Sequence, residues 1–314
     1  MKLTPKQRAI LSLELKQPDV VPTFELEFQL TEEYFGKKFH TAEEWGKASL
    51  KEQEKFVADN VELYIQIAEY FDYAIIMHSY AYCPTEDWHI KTVKRLKKLV
   101  GDKYFIVVHG DGTFAIPDGN DMLEFTYNLI DKPDEMKQIA KKMVDDTIER
   151  NKKFVDAGVD GFALCADYCL NTGPFLSPKM FSEWITPYLA RLIRAIRDMK
   201  VYAIKHTDGN IMPIIDQIVS CQPHALHSLD PQAKVDIKEL KRLYGNKICL
   251  IGNVQCSLMQ TGTDTQILES CRYAMENGKP GGGYIFSTSN VVFKGMPKKS
   301  YDLMMDYYRK NRNY

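Results

Sequence analysis

The chain has 314 residues, of which 45% are hydrophobic and 26% are charged, as is typical of a globular protein. Its 41 lysines and arginines nearly balance 42 acidic residues, so we expect no general attraction to nucleic acid or to an anionic membrane. The seven cysteines are irregularly spaced, and no segment approaches the roughly 20 apolar residues that cross a bilayer. These features predict a soluble, unprocessed, cytoplasmic protein without a disulfide framework or a membrane partner.

The chain opens with a helical segment and then alternates between strand-like and helix-like segments. Residues 4–17 favour a helix, and we assign residues 1–19 to an N-terminal helical extension. Amphipathic stretches such as 41–71, 177–199 and 263–278 predict helices, and the first and last of these open on threonine caps. Eight short apolar runs predict strands: 20–28, 73–79, 104–110, 159–166, 201–206, 224–229, 248–252 and 283–288.

Alternation of strands and helices predicts an α/β fold with parallel strands. Eight such units in about 300 residues favour a (β/α)8 TIM barrel, although an open doubly wound sheet would give the same local pattern. No change of composition and no Pro/Gly/Ser-rich linker divides the chain. We therefore predict a single TIM-barrel domain over residues 1–314.

Polar side chains gather at the carboxyl ends of the predicted strands, where TIM barrels carry their active sites. Single Asp or Asn residues there often only cap the next helix. Four of the seven histidines fall at these ends with acids beside them, however, and this predicts a functional site. The set, in strand order, is Glu25 and Glu27; His78 and Tyr80; His109 and Asp111; Asp167 and Tyr168; His206 and Asp208; His227 and Asp230; Asn253; and Ser287, Ser289 and Asn290.

His206 and Asp208 are two residues apart, a spacing that points both side chains to the same side of an extended backbone. An aspartate beside a histidine stabilises imidazolium, which predicts a general acid that works near neutral pH. The same residue types can hold zinc with one open position. A polar turn at Asp208-Gly209 without a catalytic role is the third interpretation.

The predicted rim also limits the substrate by what it lacks. No arginine follows any predicted strand, and Lys205 should alternate away from His206, so we expect no clamp for a polyanion. The glycine-rich segment 278–284 precedes a strand, whereas a phosphate-binding loop follows one. Aromatic residues near the rim suit a flat, uncharged or aromatic ligand.

Four segments of the second half carry a family pattern: GVDGFALCADYCLNTGPFLSPKMFSEWITPY (158–188), HTDGNIMPIIDQIV (206–219), LDPQAKVDIKELKRLYGNKICLIGNVQCSLMQTGT (229–263) and GGGYIFSTSN (281–290). Together they resemble the uroporphyrinogen decarboxylase superfamily. The likeness covers about residue 155 to the end, and the first half matches only in layout. The resemblance implies a TIM barrel whose site lies at the C-terminal mouth.

The resemblance implies one of two activities, which the segment after the first strand distinguishes. Decarboxylases of this superfamily carry an arginine-bearing motif there to hold the carboxylates of the substrate. In this chain the segment reads TFELEFQLTEEYFG (23–36) and has no arginine, which disfavours uroporphyrinogen decarboxylase activity. The other branch contains corrinoid-dependent methyltransferases, which move a methyl group between a small substrate and the cobalt of a partner corrinoid protein.

The resemblance also implies a modified metal site. Coenzyme M methyltransferases of that branch bind zinc through a histidine, a cysteine two residues later and a distant cysteine. His206 matches the histidine, whereas Asp208 stands at the first cysteine and Asn290 at or near the second. A zinc ion here would be held by His206 with a carboxylate such as Asp167, and oxygen ligands suit an ether substrate better than a thiol.

The expectation is thus the demethylating methyltransferase of an anaerobic O-demethylase, which passes methyl from an aryl methyl ether such as a methoxyphenol to cob(I)alamin. No corrinoid-binding D-x-H-x-x-G motif occurs, so the cobalamin would be carried by a separate corrinoid-binding protein. A methylcorrinoid-to-thiol methyltransferase, a TIM-barrel metal-dependent hydrolase and a non-catalytic binding barrel are the alternatives. The expected catalytic residues are His206, Asp208 and Asp167, and the expected substrate-binding residues are Glu27, His78, Tyr80, His109, Tyr168, Asp230, Asn253 and Asn290.

Overall fold

A computed structural model describes residues 3–314 of the protein, apart from the side chain of Tyr80. Seven parallel strands form one curved sheet in the order β1-β2-β3-β6-β7-β8-β9, and β4 pairs with β5 in a small antiparallel ribbon. The strands are β1 Ile75–His78, β2 Phe105–His109, β3 Gly161–Leu164, β4 Cys169–Leu170, β5 Gly173–Pro174, β6 Tyr202–His206, β7 Ala225–His227, β8 Cys249–Val254 and β9 Tyr284–Thr288.

Helices connect the parallel strands and cover the outside of the sheet. They are α1 Pro5–Leu13, α2 Thr31–Phe35, α3 Ala42–Lys47, α4 Leu50–Phe71, α5 Glu86–Val100, α6 Met122–Asp131, α7 Pro133–Ala157, α8 Pro178–Trp184, α9 Thr186–Asp198, α10 Ile215–Ser220, α11 Ile237–Tyr244, α12 Cys256–Thr261, α13 Asp264–Gly278 and α14 Lys298–Asn311. None of these described helices combines the length and the apolar character that crossing a membrane requires.

The first predicted strand, residues 20–28, is not a regular strand. It makes only isolated bridges, among them Thr23 with Phe286 of β9. It nevertheless lies between the last and first strands, because Phe286 N donates to Pro22 O at 2.9 Å and Ala74 N donates to Thr23 O at 2.7 Å. Pro22 has no N–H to donate, which interrupts the ladder at this position. The segment closes the sheet, and the TIM-barrel prediction with its N-terminal helical extension is confirmed with this irregular first member.

Two of the predicted long helices are each divided in two. Segment 41–71 breaks before Ser49, which starts α4 with a capping box in which Glu52 accepts from Ser49 N at 2.7 Å. Segment 177–199 breaks near Ile185, because Pro187 has no N–H to continue the hydrogen bonds of α8 into α9. The predicted threonine caps at Thr41 and Thr263 are confirmed.

The strand register decides which side chains face the barrel interior. His109 pairs with Ala163 of β3, Ala163 pairs with Ile204 of β6, and His206 pairs with His227 of β7. Since residues two apart share a face, His109, His206 and His227 lie on the same side of the sheet. The other side packs against helices, as in the stacking of Phe286 on Tyr308 of α14 with ring centroids 5.5 Å apart.

Candidate active site at the barrel mouth

Three polar side chains converge at the carboxyl ends of the neighbouring strands β3 and β6. His206 is the last residue of β6, Asp208 follows it by two residues, and Asp167 follows β3. His206 Nε2 lies 3.8 Å from Asp208 Oδ1 and 3.9 Å from Asp167 Oδ1. One nitrogen and two oxygen atoms lie within 4.8 Å of one another, so these side chains can act on a single atom. The two carboxylates remain partly exposed while the histidine is buried.

Hydrogen bonds fix the carboxylate of Asp208. Ser228, which follows β7, donates from Oγ to Asp208 Oδ1 at 2.7 Å, and Asn290, which follows β9, donates from Nδ2 to Oδ2 in a short hydrogen bond. The Asp208 main-chain N–H donates to Asp167 Oδ1 at 3.0 Å. The ends of four strands therefore hold the two carboxylates in one orientation.

A second histidine sets the tautomer of His206. His206 Nδ1 lies 2.8 Å from His227 Nδ1, and His227 Nε2 lies 3.3 Å from Ser287 Oγ. Ser287 donates its hydroxyl hydrogen to Thr288 O at 2.8 Å, so its oxygen accepts from His227 Nε2–H. His227 then accepts at Nδ1, His206 donates from Nδ1, and the Nε2 lone pair of His206 faces the two carboxylates.

Burial reverses the roles predicted for the histidine and the aspartate. Burial, with the nearby charge of Lys205, lowers the pKa of His206 to about 3, and burial holds the pKa of His227 well below its usual value. Burial and the neighbouring Asp167 raise the pKa of Asp208 to about 7. At neutral pH the imidazole of His206 is therefore neutral, and the group placed to hold a proton is Asp208 rather than the predicted imidazolium.

The same atoms fit a divalent ion such as zinc. The separations of 3.8 and 3.9 Å are slightly below twice a zinc–ligand bond of about 2.0–2.2 Å, so one ion can reach His206, Asp167 and Asp208 together. The second ring nitrogen of His206 donates to His227, the arrangement that usually orients a metal-bound histidine. A bound ion would hold Asp208 in its ionised form.

The family model for uroporphyrinogen decarboxylase (URO-D) matches residues 87–311, more than two thirds of the chain. The chain belongs to the URO-D family. The match starts well before residue 155, where the likeness predicted from the sequence began. A comparison with curated proteins finds no match for this URO-D family member.

Solved structures resemble this URO-D family member in fold. A methyltransferase from Methanosarcina mazei is 16% identical, with a TM-score of 0.77, and the match covers 98% of this chain and 99% of that one. D-psicose 3-epimerase from Clostridium cellulolyticum is 13% identical with a TM-score of 0.47, covering 82% of this chain and 94% of that one. A sugar phosphate isomerase/epimerase from Parabacteroides distasonis is 11% identical with a TM-score of 0.46, covering 82% and 88%. At these identities the likeness concerns the fold alone.

Several predicted substrate-binding residues of the URO-D family member surround the three central side chains. Asn290 holds Asp208 directly. Asp230 caps the turn after β7 by accepting from Gln232 N at 2.9 Å, and its charge contributes to the raised pKa of Asp208. Asn253 is buried and donates to the carbonyl oxygen of Leu229 at 2.8 Å, so it shapes the loop after β7.

Other predicted residues are not brought to the central atoms. His78 lies on the opposite face of the sheet, where its ring stacks on His89 of α5 with centroids 4.4 Å apart. Tyr168 is buried, and its hydroxyl lies 2.7 Å from Thr113 Oγ1. Glu27 accepts from Tyr82 at 2.9 Å. The Tyr80 side chain lies outside the described part of the structure.

His227 and Ser228 are site residues that the sequence prediction did not assign. His227 appeared among the strand ends, but nothing in its sequence neighbourhood shows that it orients His206. The strand register shows that the two histidines are neighbours, since His206 and His227 are directly paired on β6 and β7. Ser228, with φ of 90°, turns its hydroxyl to Asp208 immediately after that pair.

Proposed function

We propose that this URO-D family member is a corrinoid-dependent methyltransferase that removes the methyl group of an aryl methyl ether such as a methoxyphenol. The acceptor is the cobalamin of a separate corrinoid-binding protein. The proposal depends chiefly on one observation: the Nε2 lone pair of His206 faces one oxygen each of Asp167 and Asp208 at the barrel mouth. A neutral imidazole with two carboxylates makes a hard site, suited to an oxygen atom of the substrate.

The segment after Thr23 supports methyl transfer over uroporphyrinogen decarboxylation. Glu25 is 3% exposed and binds Thr288, and Glu27 binds Tyr82, so the segment offers no cation to a polycarboxylate. The solved structure that matches nearly the whole chain is described as a methyltransferase, and we carry that activity to this chain.

The chemical difficulty is the leaving group. A phenol has a pKa of about 10, as in tyrosine, so a phenolate oxygen leaves poorly unless it is protonated or polarised. Cob(I)alamin held by the partner protein would supply the nucleophile for the methyl group, and the electron pair of the broken carbon–oxygen bond would stay on the ether oxygen. We assign the transfer of a proton to that oxygen to Asp208, whose carboxyl group is held in position by Ser228 and Asn290.

The residues of the site are also the ones that would hold zinc. When bound through His206 Nε2, Asp167 and Asp208, the ion would act as a Lewis acid toward the ether oxygen. His227 contributes by holding His206 in the tautomer that leaves Nε2 free, with the two Nδ1 atoms 2.8 Å apart. The seven described cysteines are all unpaired, which suits the reducing cytoplasm in which we place the enzyme.

The test mixes the purified protein with a cob(I)alamin-loaded carrier and a panel of methoxylated phenols. We expect methylcobalamin to form, which is followed by its absorbance. His206→Ala should abolish turnover, whereas His40→Ala, a histidine outside the mouth beside Asp59, is the matched control. Absence of methyl transfer from every methyl ether, amine and thioether tried would refute the proposal.

Metal analysis of the same preparations separates the two roles of the site. Stoichiometric zinc in the wild type that is lost in His206→Ala identifies His206 as a ligand. An active protein without metal identifies Asp208 as the proton donor, and Asp208→Asn should then be inactive.

A further inference from the structure

A cleft of about 560 Å³ opens beside the barrel mouth, between α5, α7 and the ends of β1, β2 and β3. His109 and Cys165 line it from the strand ends. His109 pairs with Ala163, and Ala163 pairs with Ile204, so these three residues lie on one side of the sheet. Because residues two apart share a face, Cys165 and His206 lie on that side as well. Ala166, which also lines the cleft, directly precedes Asp167 of the central site, and the cleft volume suits a small aromatic molecule.

Arg150 of α7 brings a guanidinium group into this cleft. Arg150 Nη2 donates to the main-chain oxygen of Asp111 at 3.4 Å, and Nε is buried without a hydrogen-bond partner among the described residues. Among the described residues, no carboxylate oxygen lies within 4.0 Å of Arg150, since it forms no ion pair there. Burial lowers the pKa of Arg150 below its usual value, as expected for a cation that lacks a close anion.

The two acids that line the cleft are already neutralised by other cations. Asp111 accepts from Lys205 Nζ at 3.1 Å and from Thr113 N at 3.0 Å. Glu86 forms an ion pair with Lys153 at 2.7 Å. Both acids act on Arg150 electrostatically, but among the described residues neither forms a close ion pair with it, so a ligand carboxylate can take the position beside its guanidinium.

His89 places a hydrogen-bond acceptor in the cleft, because its side chain is hydrogen-bonded to the His78 backbone and burial lowers its pKa to about 4. Its side chain lines the cleft and is 6% exposed, yet its Nε2 has no hydrogen-bond partner in the described part of the chain. A buried polar atom without a partner is costly unless a ligand or water completes it.

We propose that this cleft binds the carboxylate of the methyl donor, with Arg150 as the residue that recognises it. The inference rests on the proposed methyl transfer and narrows its substrate class to methoxylated aromatic monocarboxylates. A planar guanidinium fork binds a carboxylate by two parallel hydrogen bonds, and the acceptor at His89 Nε2 suits a hydroxyl group on the same ligand. The aromatic ring would then extend toward His206, where the methyl ether reacts.

The test measures binding to the full chain without the corrinoid protein, by calorimetry, with 3-methoxybenzoate and its neutral counterpart 3-methoxybenzamide. We expect the wild type to bind the acid at least about tenfold more tightly than the amide, the size of a charge-assisted hydrogen bond. Arg150→Gln should remove this preference, whereas Arg194→Gln, an exposed arginine on α9, should keep it.

Each outcome decides the proposal. Equal binding of acid and amide by the wild type, no binding of either, or a preference that survives in Arg150→Gln overturns it. If Arg150→Gln does not fold, the comparison of acid and amide on the wild type decides, together with Arg150→Lys. We expect Arg150→Lys to keep only part of the preference for the acid. An acid preference that depends on Arg150 without methyl transfer refutes the proposed function alone, and methyl transfer without the preference refutes this inference alone.

Discussion

Glu25 gives a stability prediction whose size follows from its surroundings. Its carboxyl is 3% exposed and contacts Thr288 Oγ1 at 2.5 Å, Thr288 N at 3.2 Å and the Tyr301 hydroxyl at 3.3 Å. None of the described lysines or arginines forms an ion pair with it. Burial raises the pKa of Glu25 from 4.5 to about 8, so the folded protein keeps this carboxyl protonated at neutral pH.

The direction of the pH dependence of stability follows from the order in which the unfolded and folded states lose the proton of Glu25. Below about pH 4.5 the carboxyl is protonated in both states, so its burial carries no electrostatic penalty. As the pH rises above that value the unfolded chain ionises first, and the wild type loses stability until about pH 8. At 1.36 kcal/mol per pH unit, the loss at pH 7 is about 3 kcal/mol.

Glu25→Gln replaces the titrating group by a neutral one of the same shape. We expect the variant to exceed the wild type in free energy of unfolding by about 3 kcal/mol at pH 7, with the difference vanishing near pH 4. Urea denaturation at several pH values measures this, with the exposed Glu33→Gln as control for loss of one negative charge. A difference that does not change between pH 5 and pH 8 would refute the assignment of a protonated Glu25.

Three further predictions concern His227, His78 and Asn290. His227→Ala removes the acceptor of His206 Nδ1–H and should weaken zinc binding or turnover about 10–100-fold, as calorimetric zinc titration and the methyl-transfer assay will show. His78→Phe removes two buried nitrogens that lack side-chain hydrogen-bond partners within residues 3–314 apart from the Tyr80 side chain, and it should raise the melting temperature without changing turnover; a lower melting temperature contradicts it. Asn290→Ala removes one of the hydrogen bonds to Asp208 and should lower turnover about tenfold while KM stays within twofold, which steady-state kinetics can measure.

The sequence predicted the barrel and its mouth because both depend on local patterns. Of the eight strands predicted from apolar runs, seven are regular strands of the barrel. The first predicted strand, residues 20–28, is irregular because Pro22 has no N–H to donate. The spacing of two residues between His206 and Asp208 correctly predicted that their side chains lie close together. The direction of His78 depends on its register with β2, which the sequence does not display.

Protonation states and long-range contacts could not be predicted from the sequence because they depend on burial and on residues that are distant along the chain. A histidine beside an aspartate suggests a shared proton, but complete burial of His206 outweighs that attraction. Arg150 was not predicted because it reaches the cleft from a helix, whereas the predicted site residues all lie at the ends of strands. Its contact with Asp111 spans 39 residues of sequence.

The irregular closing segment at residues 20–28 has a consequence for how the protein folds during synthesis. Its hydrogen bonds run to Phe286 of β9 and to Ala74, and Val21 N donates to the Arg312 carbonyl at 2.8 Å. The segment therefore leaves the ribosome early, and although its bond to Ala74 can form soon afterwards, its bonds to Phe286 and Arg312 have to wait for residues 284–314. Contacts of such sequence separation form slowly, so the nascent chain carries an open sheet with unpaired edges until its last strand and helix have been made.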